Sequence, residues 1–487
     1  MKSRTVLSAF AVCAAGVVLA ASLTGCGSGT TGQDTPPSGG AASPSEVPSA
    51  PTESRRPVPG KGSKDPDDIN GDGFRDLVVP VTVGTDPNNP GAGQRVAVVY
   101  GSAKGLDPST RTVHGRRDLG LPEPSQDPAG ADSVSAGAVV TADMDGDGFP
   151  DFVTSVALGV AQDNQVSASR TVPYVTWGGP DGPEAKGAAS EVRLPQSESK
   201  LGLESVVRGD FDGDGHHDLA ARARNHTSLV LLYGPFTRAG VPARTDTDLP
   251  WQDGTLVADD IDPSGSARAT SLLLHATSDG EQSGNTLYPA RRGNALAEQR
   301  RLRDGNAHAY GDFDGDGRRD VAVGDDGGRN DEPGFETEKP EVDGSLTVYP
   351  GSGAEPVTYR LPKAPKDVNT SYGPGGFVAA DPDGDGRDGI LVATYEGATL
   401  IDGDRRTPVL REGPAKTGGK KTPARWRHAR PVGAADFDDD GKDELILNWA
   451  SGALFGNYGE YPTHWWITDS TTPRDQASFA TTNFATP

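Results

Sequence analysis

Cysteine is nearly absent from this sequence. The chain of 487 residues contains two cysteines, Cys13 and Cys26, and both lie close to its N-terminus. Residues 27–487 therefore cannot form a disulfide within the chain. Outside the cytoplasm, where disulfides commonly support small folds, bound metal ions would be the remaining kind of cross-link.

Positive charge is scarce as well. The sequence has 46 Lys and Arg against 69 Asp and Glu, which gives a formal net charge of −23 at pH 7. Proteins that bind nucleic acid need a basic surface that neutralises phosphates, so this composition argues against nucleic acid as a partner. One hydrophobic core is also not expected, because single cores stop growing near about 250–300 residues. Repeated units that pack on their neighbours avoid that limit.

Familiar catalytic motifs are missing. The sequence contains no His-Glu-x-x-His motif, no Gly-x-Ser-x-Gly motif and no phosphate-binding loop. Its 8 histidines are scattered, and the adjacent pair His216 and His217 is expected to point to solvent. Catalysis is therefore not predicted, and an enzyme whose acids or histidines converge only in the fold stays open as an alternative.

The chain does contain a densely acidic loop, Asp210–Asp218. Acids occupy its positions 1, 3, 5 and 9, namely Asp210, Asp212, Asp214 and Asp218. Carboxylates this close repel one another unless a hard cation binds them, and calcium accepts about six to eight oxygens, including a backbone carbonyl such as that of His216. Gly215 at position 6 permits a sharp turn. Position 12 is Ala221 rather than the Glu of an EF-hand, so the loop should lead into a strand.

The same pattern occurs seven times, at intervals of 50 to 75 residues. Four further copies have a complete set of oxygen ligands: Asp68, Asn70, Asp72 and Asp76; Asp143, Asp145, Asp147 and Asp151; Asp312, Asp314, Asp316 and Asp320; Asp436, Asp438, Asp440 and Glu444. A copy with Asp381, Asp383 and Asp385 has Gly389 at position 9, with Asp388 one place early. The copy that begins at Asp260 has Arg268 at position 9, so no ion is expected there. About five or six calcium ions are predicted. Periods of this length are typical of propellers and solenoids.

On these residues the sequence resembles the FG-GAP/VCBS repeat proteins, whose best-known relatives are the propeller heads of integrin α subunits. The resemblance covers roughly residues 65–487. It includes an apolar run after each loop, such as Leu219-Ala220-Ala221, and a later strand that ends in glycine, such as Val98-Val99-Tyr100-Gly101. The resemblance implies an all-β fold, a seven-bladed β-propeller of four-stranded blades with calcium loops between strands 1 and 2.

The N-terminus resembles a bacterial lipoprotein signal. Lys2 and Arg4 precede an apolar run that ends in Leu23-Thr24-Gly25-Cys26, which looks like a lipobox. Cleavage before Cys26 and lipidation of its sulfur would anchor the protein to the bacterial cell membrane on its extracytoplasmic side. A signal-anchor helix over the same apolar run is the alternative.

Three segments are therefore predicted. They are a lipoprotein signal peptide over 1–25, a lipidated Cys26 with a disordered Gly/Ser/Pro-rich tether over 26–64, and the propeller over 65–487. In the second repeat, strands are expected over 138–142, 152–155, 172–177 and 189–194. The first repeat has no convincing strand before its loop. We expect the C-terminal segment 477–481 to supply that strand and close the ring.

Ligands of such a propeller would bind the face opposite the acidic loops. Its candidates are Arg425, Trp426 and Arg427 in the one basic stretch, the acidic insertion from Asp325 to Glu332, and Trp251. Solvated loop charge and a core tryptophan are the alternative interpretation. The predicted function is a binding or adhesion module for a protein or glycan ligand. A hydrolase or lyase acting on polysaccharide or phosphoester, and a passive structural lipoprotein of the envelope, are the alternatives.

Overall fold

The described part of the chain consists of β-strands, turns and two short 3-10 helices, Ala136–Ala138 and Ala424–Trp426. The computed structural model describes residues 46–83, 93–123, 134–163, 166–183, 187–276, 282–293, 299–328, 339–363, 376–450 and 462–485. The predicted signal peptide and Cys26 lie outside these residues. Within the described ranges, no helix has the length and apolar character needed to cross a membrane.

The strands form seven main antiparallel sheets, one for each acidic-loop repeat. The first three sheets contain β1 (Leu77–Thr82), β2 (Gln94–Val99) and β3 (Arg111–His114); β4 (Val139–Ala142), β5 (Asp151–Asp163), β6 (Val166–Thr176) and β7 (Ser190–Glu191); and β8 (Leu203–Gly209), β9 (Asp218–Ala223), β10 (Leu229–Tyr233) and β11 (Arg244–Asp246).

The next three sheets have four strands each. They contain β12 (Thr255–Ala258), β13 (Leu272–His275), β14 (Asn285–Tyr288) and β15 (Arg300–Leu302); β16 (Ala307–Gly311), β17 (Asp320–Gly324), β18 (Ser345–Tyr349) and β19 (Val357–Arg360); and β20 (Phe377–Ala380), β21 (Gly389–Thr394), β22 (Gly397–Asp402) and β23 (Arg405–Val409). The degenerate fourth repeat thus forms a full blade.

The seventh sheet follows a short hairpin. The hairpin consists of β24 (Lys416–Thr417) and β25 (Lys420–Lys421), and the sheet contains β26 (Arg430–Ala435), β27 (Glu444–Ala450), β28 (Pro462–Thr468) and β29 (Asp475–Ala480). In the four-stranded blades each strand pairs with the next in sequence, and the acidic loop joins the first strand to the second. All acidic loops therefore lie at the same end of their blades.

In the four-stranded blades, the second strand contains near its start a run that is apolar and buried on both faces rather than alternating. All five residues of β17 are buried, as are the first four of β9. Continuous burial of this kind requires cover on both sides of the sheet. The blades supply it to one another, which explains why each loop is followed by an unbroken apolar run.

Seven hydrophobic clusters join neighbouring blades and close the ring. Six of them link each blade to the next in sequence. The seventh packs Val79 and Val99 of the first blade with Ile446, Trp465 and Phe479 of the last. The fold is thus a closed, seven-bladed β-propeller, as the sequence predicts.

The predicted closure by a C-terminal strand is wrong. Residues 477–480 belong to β29, the outermost strand of the seventh blade, whose register pairs Phe479 with Trp465. The first sheet has three strands among the described residues and lacks the innermost one. A complete hairpin already exists locally in the seventh repeat, so its last strand pairs with its sequence neighbour instead of crossing to the first blade.

An N-terminal segment bridges the seam between the first and last blades. The Ala480 N–H donates to the Ser49 carbonyl on the outer edge of the last blade (3.0 Å), and the Arg55 N–H donates to the Ser109 carbonyl in the first blade (2.7 Å). Arg111 of the first blade also donates from its guanidinium to the Glu53 carbonyl. The propeller thus uses residues that the sequence assigns to the tether.

Candidate metal centres

The six acidic loops other than the fourth share one hydrogen-bond scaffold. In each, the position-1 carboxylate accepts the backbone N–H groups of positions 5 and 6, and the position-5 carboxylate accepts the N–H of position 7. In the third loop, the nitrogens of Asp214 and Gly215 lie 3.0 Å from the Asp210 carboxylate oxygens. This scaffold fixes how the acids are oriented before any ligand arrives.

Two positions of each of these six loops adopt the left-handed conformation. Position 6 is always glycine, with φ between 79° and 95°, as the sequence predicts. Position 4 is also left-handed, with φ between 59° and 76°, and is glycine in five loops and Asp439 in the seventh. Asp tolerates this region better than most residues. The recurrence of glycine at position 4 was a signal that the sequence argument did not use.

The position-9 acid ties its loop to the rest of the blade. One oxygen accepts the backbone N–H of position 2 in five loops. In four of these loops the other oxygen accepts the N–H of a glycine that follows the third strand, as in the contacts of Asp218 with Phe211 (2.8 Å) and with Gly234 (2.8 Å). Asp76, Asp151 and Asp320 make the same second contact with Gly101, Gly178 and Gly351. The strand-then-glycine pattern of the sequence reflects this contact.

Asp218→Asn is expected to lower the free energy of unfolding by about 1–3 kcal/mol in excess EDTA, where loss of a cation ligand cannot contribute. The amide has only one acceptor oxygen, so one of the two buried N–H groups loses its partner. Asp248→Asn is the control, because it makes the same isosteric exchange of a carboxyl for an amide at an exposed position of the same blade. Chemical denaturation measures the stability of both variants. Equal losses of unfolding free energy would contradict a stabilising role of the two hydrogen bonds to Asp218.

The position-3 side chains carry the strongest indication of a cation. Buried oxygens without a hydrogen-bond partner are rare and call for an explanation. Four position-3 residues have an Oδ1 atom that is buried and has no partner in the described part of the chain, namely Asn70, Asp145, Asp212 and Asp438. In three of these loops the other oxygen is held by a neighbour, since Arg238 binds Asp145 (2.6 Å), Arg244 binds Asp212 (2.7 Å) and Gln476 binds Asp438 (3.1 Å). These neighbours were not found from the sequence.

Five loops bring three acids close enough to share one cation. Within each group, one ligand oxygen per residue lies within 4.8 Å of the others: Asp143, Asp145 and Asp151; Asp210, Asp212 and Asp218; Asp312, Asp314 and Asp316; Asp381, Asp383 and Asp385; Asp436, Asp438 and Glu444. In the first loop, the Asn70 amide donates to the Asp72 carboxylate (3.0 Å) and to the Val58 carbonyl (2.9 Å). The donor sets and the unpartnered Oδ1 atoms fit a divalent cation.

Burial makes these acids costly to ionise without a countercharge. Desolvation, reinforced by the neighbouring loop carboxylates, raises the pKa of Asp151 and of Asp218 to about 8 and that of Glu444 to about 8. The same causes raise the pKa of Asp320 to about 6. A bound cation would favour the ionised forms, so cation binding and deprotonation of these groups are expected to be coupled.

The degenerate fourth loop is stabilised by an internal cation, the Arg268 guanidinium. Arg268 occupies position 9, forms an ion pair with Asp259 (2.7 Å) and donates to the Asp260 carbonyl. In the sixth loop, Asp388 does not replace the missing position-9 acid. Its carboxylate accepts the backbone N–H of Asp312 in the preceding blade (2.7 Å).

In the third, sixth and seventh loops, the position-8 side chain accepts a backbone N–H of the loop before it, which corrects the expectation for His217. His217 is buried, and its Nδ1 accepts the backbone N–H of Asp143 in the second loop (2.8 Å). Asp388 and Asp443 make the equivalent contacts with Asp312 and Asp381. Blades pack so closely at their inner ends that position 8 faces the adjacent loop, and burial lowers the pKa of His217 to about 4.

The candidates for the ligand face are partly engaged with the protein itself. Arg425 stacks on the ring of Trp426, with 4.9 Å between the guanidinium carbon and the ring centroid, and Arg427 pairs with Glu412 (2.8 Å). Trp251 stacks on His226 at 4.4 Å. The acidic insertion is described up to residue 328, and its remaining acids lie outside the described residues.

Comparison with solved structures finds low similarity over most of the chain. BBS1N in complex with ARL6DN, soaked with mercury, is 11% identical over 83% of this chain and 96% of that chain, with a TM-score of 0.38. The V. cholerae biofilm matrix protein Bap1 is 12% identical over 83% and 87%, with a TM-score of 0.30, and rhamnogalacturonan lyase YesW is 14% identical over 86% and 70%, with a TM-score of 0.29. No family model and no curated protein matches the chain. The function must therefore be argued from the chain's own residues.

Proposed function

We propose that this protein is a calcium-stabilised β-propeller of the FG-GAP/VCBS type that acts as a non-enzymatic binding module. One observation carries the proposal: four position-3 residues hold a buried oxygen without a partner inside a hydrogen-bond scaffold that six loops share. A scaffold that orients oxygens and leaves one free is organised for a ligand that accepts their lone pairs.

Calcium is the cation that best suits these loops. Their side-chain ligands are carboxylate and amide oxygens, and hard cations prefer oxygen. The loops also offer the position-7 carbonyl, and calcium accepts the irregular, high coordination that such a set of oxygens provides. Magnesium requires near-octahedral geometry and releases its waters reluctantly, so it is the weaker candidate.

We infer a binding role rather than catalysis because the loop acids already accept hydrogen bonds that hold the fold together. Both oxygens of Asp151, Asp218 and Asp320 accept backbone N–H groups, which leaves these acids poorly placed for proton transfer. The basic stretch around Trp426 is one candidate contact for a protein or glycan. A lipid on Cys26 would hold the propeller at the outer face of the bacterial membrane.

Calcium titration followed by calorimetry tests the proposal. Binding at about pH 7 is expected to release protons, because acids such as Asp151 and Asp218 with a pKa of about 8 are mostly protonated before the cation binds. The measured enthalpy should then vary with the ionisation enthalpy of the buffer, and this dependence should vanish near about pH 10, where these acids are already ionised.

Asp212→Ala is expected to reduce the number of bound calcium ions by one, and Asp248→Ala to leave it unchanged. Asp212 has an unpartnered oxygen within its loop, whereas Asp248 is an exposed acid outside any loop. A titration without heat, or the same stoichiometry in both variants and the wild type, would refute the calcium assignment.

A further inference from the structure

A cavity of about 630 Å³ lies between the fourth and fifth blades at the end that carries the acidic loops. Its lining includes five arginines and two acids: Arg268, Arg291, Arg300, Arg318 and Arg319, with Asp259 and Asp320. The protein as a whole has a net charge of −23. A pocket with an excess of positive charge is therefore a local feature, opposite in sign to the rest of the chain.

At the floor of the pocket, arginines lie where the other repeats have a candidate cation loop. Asp259, whose side chain is 1% exposed, binds Arg268 from the degenerate fourth loop (2.7 Å) and Arg319 from the fifth blade (3.0 Å). Five of the other six loops end in an acid, whereas this loop ends in Arg268. Ser271 accepts the Ala290 N–H at the end of the third strand, in place of the carboxylate that clamps other blades.

The same pocket contains a buried tyrosine hydroxyl, that of Tyr310. Tyr310 lines the cavity and is 8% exposed, and its hydroxyl has no hydrogen-bond partner among the described residues. A buried phenol normally finds a partner. Arg300 and Arg318 are exposed at the rim, and Arg300 also lies over the Tyr349 ring at 5.4 Å.

We propose that this pocket binds a compact oxyanion, such as the carboxylate or sulfate group of an acidic ligand. Planar guanidinium groups form paired, charge-assisted hydrogen bonds with such groups. The cavity volume lies within the range of small-ligand sites, about 300–1,000 Å³. The inference rests on the proposed binding function and names the chemistry of its ligand.

Isothermal titration with sodium sulfate and with sodium glucuronate, in calcium and at constant ionic strength, tests the site. Phosphate is avoided because it precipitates calcium. We expect the wild type to bind at least one of the two anions, and Arg300→Gln with Arg318→Gln to weaken that binding by about tenfold or more, since each charge-assisted hydrogen bond contributes strongly. Tyr310→Phe should weaken it without lowering the melting temperature.

Arg301→Gln is the matched control. Arg301 lies next to Arg300 on β15, and adjacent strand residues point to opposite faces. The Arg301→Gln variant should bind the anion with the affinity of the wild type. No anion binding by the wild type, or equal affinity of the double variant, would overturn the proposal. Calcium titration of the same samples separates the two inferences, because intact calcium binding with failed anion binding refutes the pocket alone.

Discussion

Removal of divalent cations is expected to lower the melting temperature by about 2–9 °C relative to millimolar calcium. Sites with the affinity of extracellular modules, Kd about 10⁻⁴–10⁻³ M, each add about 0.4–1.4 kcal/mol at that concentration. About five or six such sites would contribute about 2–8 kcal/mol together. An unfolding entropy of roughly 2 cal/mol/K per residue converts this free energy into the stated shift.

The physical reason lies in the cost of clustered carboxylates. Without a cation, burial raises the pKa of Glu444 to about 8, so the native state disfavours its ionisation. A raised folded pKa contributes stability that is complete below the unfolded value of about 4.3 and is lost as the pH rises through about 8. The calcium-dependent shift should therefore be larger at about pH 8 than at about pH 5.

The triple variant Asp145→Ala, Asp212→Ala and Asp438→Ala, which removes the position-3 oxygen from three loops, tests whether the loops are responsible. These are the position-3 acids with unpartnered oxygens, so the variant should lose about half of the calcium-dependent shift in a thermal melt. Asp248→Ala should retain all of it. If the wild type had the same melting temperature in EDTA and in calcium, no ion would stabilise the loops.

The loops were predictable from the sequence because their structure is local. Within one loop, the carboxylates and the backbone N–H groups that they accept lie within nine residues of the chain. The seven-fold repetition of the loop corresponds to the number of blades. Glycine at position 6 and the apolar run after position 9 correspond to a left-handed turn and a buried second strand. Because these features depend only on residues close in sequence, few other local conformations are compatible with the pattern.

What the sequence did not predict depends on contacts between distant segments. The last strand pairs within its own blade, and the seam is bridged by residues 49–55, which look like a tether because they are mostly polar and include no large apolar residue. His217 appears solvent-exposed in a loop pattern, yet the neighbouring blade buries it. The arginines between blades four and five are dispersed from Arg268 to Arg319, so only the fold brings them together.

An ion pair near the inner ends of the blades joins three blades. Asp67, which enters the first loop, binds Arg208 of β8 through two contacts of 2.7 Å, and accepts the Thr141 hydroxyl of β4 at 2.9 Å. The side chains of Arg208 and Asp67 are 18% and 29% exposed. In the same segment, the Ser63 N–H donates to the Gly148 carbonyl of the second loop (2.7 Å). This segment stands where the first blade lacks its innermost strand.

Asp67→Ala is expected to lower the free energy of unfolding by about 3 kcal/mol, because it leaves the largely buried Arg208 charge without its partner. Asp67→Ala combined with Arg208→Met should recover much of this loss, since neither charge then remains. Asp469→Ala, which breaks the exposed pair with Arg474, is the control and should cost less than about 1 kcal/mol. Denaturant unfolding in calcium measures all three.

The pH dependence distinguishes the ion pair from simple loss of packing. Burial alone would raise the pKa of Asp67, but the adjacent Arg208 guanidinium outweighs it and holds the pKa below its ordinary value. A depressed folded pKa contributes stability that is present above the unfolded value of about 3.9 and is lost as the pH falls below it. The difference between the wild type and Asp67→Ala should thus stay constant from about pH 8 to about pH 5 and shrink in more acidic solution. A difference that persists unchanged into strong acid, or a double variant no more stable than Asp67→Ala, would show that the bridge across the missing strand does not depend on charge.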